Sequence, residues 1–300
     1  MVRRPLIVGT RGSQLALRQA GIVAGRLREA GWPAELKVIA TEGDRNQQLS
    51  LRGTAGAGLF VRDIERALLD GAIDLAVHSL KDLPIEMAPS LRLAAVLTRE
   101  DPREALLLGP SGALPGLPQA ARIGTSSLRR LAQLRLLFPD ACFPEIRGNI
   151  DTRIRKLSEG LYDGIVLAVA GLKRLNLDTR IERIFTLEEC LPAPGQGVIG
   201  VQVREEPDEP EIGDCLNDPA TAGAVRAERA FLQQLGGGCR LPVGALAEIR
   251  AGKLILRGMV ADSRGASILK RETDGPVTKP EALGRDLADW FIGKGIVDWT

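Results

Sequence analysis

Four short stretches of this 300-residue chain carry side chains able to do chemistry where the backbone would expose them. Ser79-Leu-Lys81-Asp82-Leu-Pro84 follows an apolar run that reads as a strand, so Lys81 and Asp82 fall at a strand's carboxyl end. A carboxylate there among cations can accept protons or stabilise a developing positive charge. The same pair would serve equally as a loop salt bridge. Gly236-Gly-Gly-Cys239-Arg240 bares a thiol beside a guanidinium, and a neighbouring cation raises the thiolate fraction. Against that stands the ordinary role of a lone cysteine, inert packing. Thr10-Arg11-Gly12-Ser13 and Thr125-Ser126-Ser127 each lead from a strand into a helix. Their hydroxyls and unpaired N–H groups make either simple caps or anion sites on helix N-termini.

Arginines gather around the same places. Arg11 lies in the first turn, Arg129 and Arg130 follow the second, and Arg147 and Arg153 flank another helix start. Lys173 and Arg174 come just after a strand. Ligands of open α/β sheets sit beyond the carboxyl ends of strands, and every one of these cations falls there. Of 40 cations only 8 are Lys, which leaves 32 Arg. Base composition or heat adaptation accounts for that bias, or else a ligand rich in carboxylates or phosphates does, since the guanidinium fork grips both bidentately. Any one of these residues alone reads as a solvated face.

Missing residues exclude other chemistries. Gly195-Gln-Gly-Val-Ile-Gly200 has the letters of a dinucleotide fingerprint, yet it runs from a Pro-rich turn into a strand instead of from a strand into a helix. No Gly-x4-Gly-Lys-Ser/Thr loop occurs. The one histidine, His78, ends an apolar strand and reads as a core or strand-end hydrogen-bonding residue, so no Ser/His or Cys/His pair is credible beyond it. Cys142, Cys190, Cys215 and Cys239 lack paired spacing, a poor set for zinc or for disulfides, and a reducing cytosol is expected. A net charge of 40 − 38 = +2 and 3% aromatics speak against nucleic acid. The longest apolar stretch, residues 165–170, is far short of the roughly 20 residues of a membrane span. The first nine residues hold no apolar signal region. The expectation is a cytoplasmic protein with no metal and no membrane partner.

The elements that must hold these residues alternate. Strands are predicted at 6–8, 35–40, 73–78 and 91–97, helices at 13–30 and 60–70, and a Gly-rich loop at 41–58. After a charged connector, 99–103, the pattern restarts with strands at 105–108, 121–124 and 164–168 and helices at 127–138 and 149–159. Ile7-Val-Gly-Thr-Arg-Gly-Ser13 echoes Arg122-Ile-Gly-Thr-Ser-Ser127, a sign of two similar lobes or a coincidence of short strings. Residues 192–197 look like a second crossing between lobes, leading to a strand at 198–203 and a linker at 205–214. A helix at 221–235, strands at 243–249, 254–260 and 267–273 and a helix at 281–292 suggest a small α+β domain.

Six segments, in this order, resemble the porphobilinogen deaminase (hydroxymethylbilane synthase) family: Gly9-Thr-Arg-Gly-Ser13, Val77-His-Ser-Leu-Lys-Asp-Leu-Pro84, Ile123-Gly-Thr-Ser-Ser-Leu-Arg-Arg130, Ile146-Arg-Gly-Asn-Ile-Asp-Thr-Arg153, Leu191-Pro-Ala-Pro-Gly-Gln-Gly197 and Gly237-Gly-Cys-Arg-Leu-Pro-Val-Gly244. The resemblance implies an α/β fold of two similar lobes like those of solute-binding proteins, with mainly parallel sheets, plus a small α+β C-terminal domain. The implied domains are 1–98 with 197–214, then 103–191, then 217–300. It implies a dipyrromethane cofactor held by a thioether to Cys239, and the head-to-tail condensation of four porphobilinogens with release of ammonia to give hydroxymethylbilane. Asp82 is the implied catalytic residue. Arg11, Ser13, Lys81, Thr125, Ser126, Ser127, Arg129, Arg130, Arg147, Arg153 and Arg174 are the implied binders of cofactor and substrate carboxylates. One departure stands out: the family often has Lys in a Gly-Gly-Lys-Gly-Leu-Phe loop, where this chain has Ala57; either a lid contact to carboxylates is missing or Arg52 replaces it, in a Gly-rich covering loop that ends with Phe60. A monomer suffices, and hand-off of product to the next enzyme is the one protein contact entertained. Two other readings remain: a non-enzymatic two-lobed binder of a carboxylated solute, and a phosphate-substrate transferase, for which metal and P-loop residues are missing.

Overall fold

The apolar runs near the N-terminus become strands of one sheet, and the pattern then repeats. In a computed structural model, residues 4–40, 61–110, 120–205, 212–237, 241–262 and 267–297 are described. In chain order the elements are β1 (Leu6–Thr10), α1 (Gln14–Glu29), β2 (Ala34–Val38), α2 (Arg62–Leu69), β3 (Leu75–Ser79), β4 (Leu91–Val96), β5 (Glu104–Leu108), β6 (Ile123–Gly124) and α3 (Leu128–Leu137). There follow α4 (Ile150–Ser158), β7 (Gly164–Ala168), α5 (Val169–Arg174), β8 (Arg183–Ile184), β9 (Ile199–Arg204), α6 (Gly213–Leu216), α7 (Pro219–Gln234), β10 (Val243–Arg250), β11 (Lys253–Ala261), β12 (Ile268–Pro276) and α8 (Pro280–Gly293). The chain forms two compact units, residues 1–100 with 198–222, and residues 101–197 with 223–300.

The first unit is a five-stranded sheet of order β2-β1-β3-β9-β4. Val8, Leu75 and Val201 face the apolar side of α1, whose Ala20, Val23, Ala24 and Leu27 are fully buried. Ile73 and Ala76 face the other way, against Ile64 and Leu68 of α2. Adjacent strand residues thus feed two opposite layers, as the pleat requires. Ser13 caps α1 and Gly31, at φ +82°, follows its end, as the sequence predicts.

The second unit holds a four-stranded sheet, β6-β7-β5-β8, and a separate antiparallel sheet, β10-β11-β12. Leu157 of α4 packs with Ala105 and Leu107 on one face, and Leu134 of α3 packs with Leu106 and Val166 on the other. The three-stranded sheet shares a core with the first: Leu246, Met259 and Ala261 touch Ala132 of α3 and Leu191. Its other cover is α8, which crosses α7 at Gly284. A Cβ on Gly284 would lie 2.3 Å from the Ala227 carbonyl oxygen, so only glycine permits the approach. Phe231 and Phe291, with ring centroids 5.7 Å apart, fill the space beside it.

The expected mainly parallel sheets are instead mixed. β1 runs parallel to β2 and β3, and β6 runs parallel to β7. β9 runs antiparallel to β3 and β4, and β5 antiparallel to β7 and β8. The cause lies in the two crossing segments. Each delivers its strand at the carboxyl edge of the sheet: Ile199 opens β9 opposite Ser79, the last residue of β3, and Glu104 opens β5 opposite Ala168, the last of β7. A strand that starts where its neighbours end must run against them. The elements that sequence reading missed, α5, β8 and α6, are two to six residues long and too short to show a period.

Candidate active site

The two strand-to-helix turns echo each other in structure as they do in sequence. After β1, Ser13 is the N-cap of α1, its hydroxyl accepting the Ala16 N–H at 3.3 Å, while the buried Thr10 hydroxyl donates to the Ala16 carbonyl. After β6, Ser127 caps α3 by accepting the Arg130 N–H, and the buried Thr125 Oγ1 accepts the Ser127 N–H at 3.2 Å. Ser126 binds both ends of Ile146, donating to its carbonyl at 2.7 Å and accepting its N–H at 3.1 Å. That pair of bonds pins the turn to the segment carrying Arg147 and Arg153.

Arg129 and Arg130, expected to hold ligand carboxylates, both bond to a carboxylate of the chain itself. Arg129 donates to the Leu191 carbonyl at 2.8 Å and to one Glu104 oxygen at 2.6 Å. Arg130 donates to the Val166 carbonyl at 2.8 Å and to the other Glu104 oxygen at 2.8 Å. All three side chains are buried. Two guanidiniums against this one carboxylate leave the trio with an excess positive charge. Arg130 Nε is, among the described residues, a buried donor with no partner. Sequence reading missed Glu104. Its signal was a single acid opening an otherwise apolar strand, a place where a carboxylate is expensive unless paired.

The other cations of this unit sit at loop ends. Arg153 Nε donates to the Gly148 carbonyl at 2.7 Å, and Arg147 pairs with Glu145 at 3.0 Å. Gly148 has φ +110°, and a Cβ there would lie 2.6 Å from Thr152, so this turn into α4 needs glycine. Asn149 then caps α4 by accepting the Thr152 N–H at 3.1 Å. Arg174, at the end of α5, donates to the Gly197 carbonyl at 2.6 Å. The Gly195-Gln-Gly197 turn around it is held from below: buried Gln196 donates to the Pro102 carbonyl at 2.7 Å, and buried Glu228 accepts the Gly195 and Ala247 N–H groups. It runs into β9, so its glycines serve a tight turn.

In the first unit, β3 ends in a 3-10 turn, Leu80–Asp82, which presents Lys81 half-buried and Asp82 exposed. The Leu80 N–H donates to the Val198 carbonyl at 3.0 Å and the Leu83 N–H closes the turn onto Leu80. Arg11 and Ser13 leave the neighbouring β1 at the same edge. His78 is buried, as the sequence predicts, with Nε2 3.1 Å from Gln202 Oε1. Burial lowers its pKa to about 4 against the support of that hydrogen bond, with Arg11 lowering it further. Burial also pushes the Cys190 thiol up to about 11. Arg11, Ser13, Lys81 and Asp82 thus share the carboxyl edge of the first sheet. Thr125, Ser126, Ser127, Arg129, Arg130 and Arg174 follow β6 and β7 in the second unit. Cys239, Arg52 and Phe60 lie outside the described residues, as does Ala57.

Two family models match the chain: "Porphobilinogen deaminase, dipyromethane cofactor binding domain" over residues 6–211 and "Porphobilinogen deaminase, C-terminal domain" over residues 222–292. The chain belongs to the porphobilinogen deaminase family. Relatives bearing that name include a protein of Roseiflexus sp. (strain RS-1), 46% identical over 297 residues and 98% of each chain. One from Syntrophomonas wolfei is 47% identical over 97% of this chain and 96% of the relative, and one from Thermus thermophilus is 47% identical over 97% of each. Among solved structures, a periplasmic substrate-binding protein of an ABC transporter from Coxiella burnetii is similar at 17% identity and TM-score 0.42, covering 70% of this chain and 89% of that one.

Proposed function

We propose that this protein condenses four porphobilinogen molecules head to tail on a dipyrromethane primer joined to Cys239, releasing ammonia at each addition and giving hydroxymethylbilane. The observation that carries the reading is the family match over residues 6–211, which spans Asp82 and every arginine assigned to ligand carboxylates. The residues present fit the cofactor's chemistry. Each ring bears an acetate and a propionate, and the second unit offers a buried excess of guanidinium with an unpaired Nε–H on Arg130. When bound, the cofactor supplies a free pyrrole α-carbon as nucleophile.

Asp82 stands at the end of an anchored strand beside Lys81. Loss of ammonia from porphobilinogen leaves an azafulvene whose positive charge is shared with the pyrrole nitrogen. Asp82 stabilises that charge and handles the protons of deamination and of the final deprotonation, as a carboxylate positioned beside the reacting ring can. Arg11, Lys81, Arg147, Arg153 and Arg174, with the hydroxyls of Ser13, Thr125 and Ser127 and the turn that Ser126 pins, hold the carboxylates. Arg129 and Arg130 do so as far as Glu104 leaves them free, through Arg130 Nε. We assign residues 217–300 as a third domain that carries the tether. The reading includes a cytoplasmic monomer with porphobilinogen as its small-molecule partner. The small net charge gives no field for nucleic acid.

Intact-protein mass spectrometry tests this directly. The purified protein is expected to carry a two-ring adduct that Cys239→Ala removes, and to gain single-ring increments on brief exposure to porphobilinogen. An unmodified thiol in active protein, or binding of porphobilinogen without any covalent increment, overturns the reading and favours a carboxylate-binding protein.

A further inference from the structure

The only imidazole of the chain belongs to a run of three side chains from three elements. His78 Nε2 of β3 lies 3.1 Å from Gln202 Oε1 of β9, and Gln202 Nε2 donates to Glu65 Oε1 of α2 at 2.9 Å. The direction of this run follows from chemistry. An ionised carboxylate only accepts, so Glu65 draws the amide nitrogen and turns the amide oxygen toward the ring. That oxygen also only accepts, so Nε2 carries the ring proton and Nδ1 is the bare acceptor.

The next residue is tied to the opposite layer. Ser79 and the buried Gln19 of α1 are hydrogen-bonded at 2.9 Å. Successive strand residues point to opposite faces, so the last two residues of β3 are fastened by side chains to helices on both sides of the sheet. The backbone then leaves at Leu80, itself bonded to Val198, and delivers Lys81 and Asp82.

We infer that His78 is a positioning residue for the Lys81–Asp82 turn, acting as a neutral Nε2–H tautomer that Gln202 and Glu65 fix. The inference rests on the reading of Asp82 given above. Among the described residues, the groups that act on the ring are Gln202 from β9, Glu65 behind it on α2, and the charge of Arg11 from the turn after β1. Protonation of Nδ1 would place a second cation beside Arg11 in a buried site, and burial holds the ring neutral against it. With Glu65 replaced by a neutral amide, the direction of the run is no longer set, because an amide can both donate to and accept from Gln202.

Because there is a single histidine, 15N labelling of that residue type alone reads the ring directly. The cofactor-loaded protein is expected to show one neutral Nε2–H species at pH 8 and at pH 5.5. Glu65→Gln is expected to give a mixture of tautomers and to lower kcat about tenfold, with KM and the loaded mass unchanged, since small misplacements of a reacting group cost rate. Glu65→Asp, which keeps an acceptor, is expected to restore the single tautomer and most of the rate. An Nδ1–H or charged ring in the wild type overturns the inference. So does a Glu65→Gln protein whose tautomer mixes while kcat stays within twofold, or one whose loss of rate only tracks a loss of folded protein. Full turnover in Asp82→Asn would instead sink the Asp82 assignment, and the labelled spectrum would still report the tautomer.

Discussion

Glu104 and Arg129 meet at 2.6 Å with the carboxylate fully buried, and the second oxygen of the same carboxylate holds Arg130 at 2.8 Å. Arg129 also reaches the Leu191 carbonyl, so one guanidinium joins the start of β5, just after the first crossing segment, to the residue just before the second. Gln133 reinforces the same place, accepting the Leu191 N–H at 2.8 Å and donating to its carbonyl at 3.1 Å. The two crossings are therefore fastened to each other within the second unit, at the edge where the arginine-rich turns begin.

Removing Glu104 should damage the protein far more than removing a surface acid. Glu104→Ala leaves two buried guanidiniums without their shared counter-charge, and breaking a buried pair from one side costs about 3–5 kcal/mol. That is a large part of the roughly 5–15 kcal/mol that holds a domain folded. Urea unfolding of the variant should show a midpoint far below wild type. A stability change under about 1 kcal/mol would mean the trio is solvated.

Asp82→Asn is expected to keep the fold and lose turnover. The side chain is exposed on a turn closed by backbone bonds, so its carboxylate contributes little to folding. As the proposed proton carrier its loss should lower kcat about 10²- to 10⁴-fold, the usual range for a positioned acid or base. Rates measured on protein with an unchanged thermal midpoint and unchanged adduct mass decide the matter, and near-normal turnover removes Asp82 from the chemistry.

The features legible in the sequence were the local ones. Ser13, Ser127 and Asn149 were readable as helix starts because a cap contacts a backbone N–H only three residues on. His78 was readable as a buried strand-end residue from the apolar run before it. What stayed hidden was long-range. The antiparallel insertion of β9 depends on where a crossing segment re-enters the sheet, and the Glu104 trio pairs residues 25 and 26 positions apart. That Arg129 and Arg130 share the Glu104 carboxylate stayed hidden too, because a sequence shows charge without showing its partners.

Gly284→Ala should destabilise the second unit although alanine is the better helix former. A Cβ at this position would meet the Ala227 carbonyl oxygen at 2.3 Å and the Phe231 nitrogen at 2.8 Å, both backbone atoms that cannot swing aside. Helices α7 and α8 would have to separate, and overpacking of this kind costs about 1–3 kcal/mol, more than the ~1 kcal/mol gained in helix propensity. Gly293, in the last turn of the same helix with nothing within 4 Å of its would-be Cβ, is the control. Gly293→Ala should leave the thermal midpoint level or raise it, whereas Gly284→Ala should lower it; equal midpoints would mean the helices do not cross this closely.

Stability should fall in mild acid because of His78. The ring titrates near 4 when folded and near 6.5 when unfolded. Above pH 6.5 both states are neutral there and the residue makes no pH-dependent contribution. Between pH 6.5 and 4 the unfolded chain takes up a proton that the folded one refuses, so acid favours unfolding. The loss amounts to about 2 kcal/mol by pH 5 and about 3 kcal/mol below pH 4. Asp74 adds a loss of the same sign, but lower on the scale: burial raises its pKa, the bonds from Arg4 and the Ile7 N–H outweigh that, and its contribution disappears only as pH drops below the usual carboxylate value of 3.8. Urea midpoints at pH 7 and pH 5 separate the two. His78→Gln, which keeps an N–H for Gln202 and cannot be protonated, should show a much smaller fall over that interval than wild type, and an equal fall in both would show that the imidazole is not shielded from protonation.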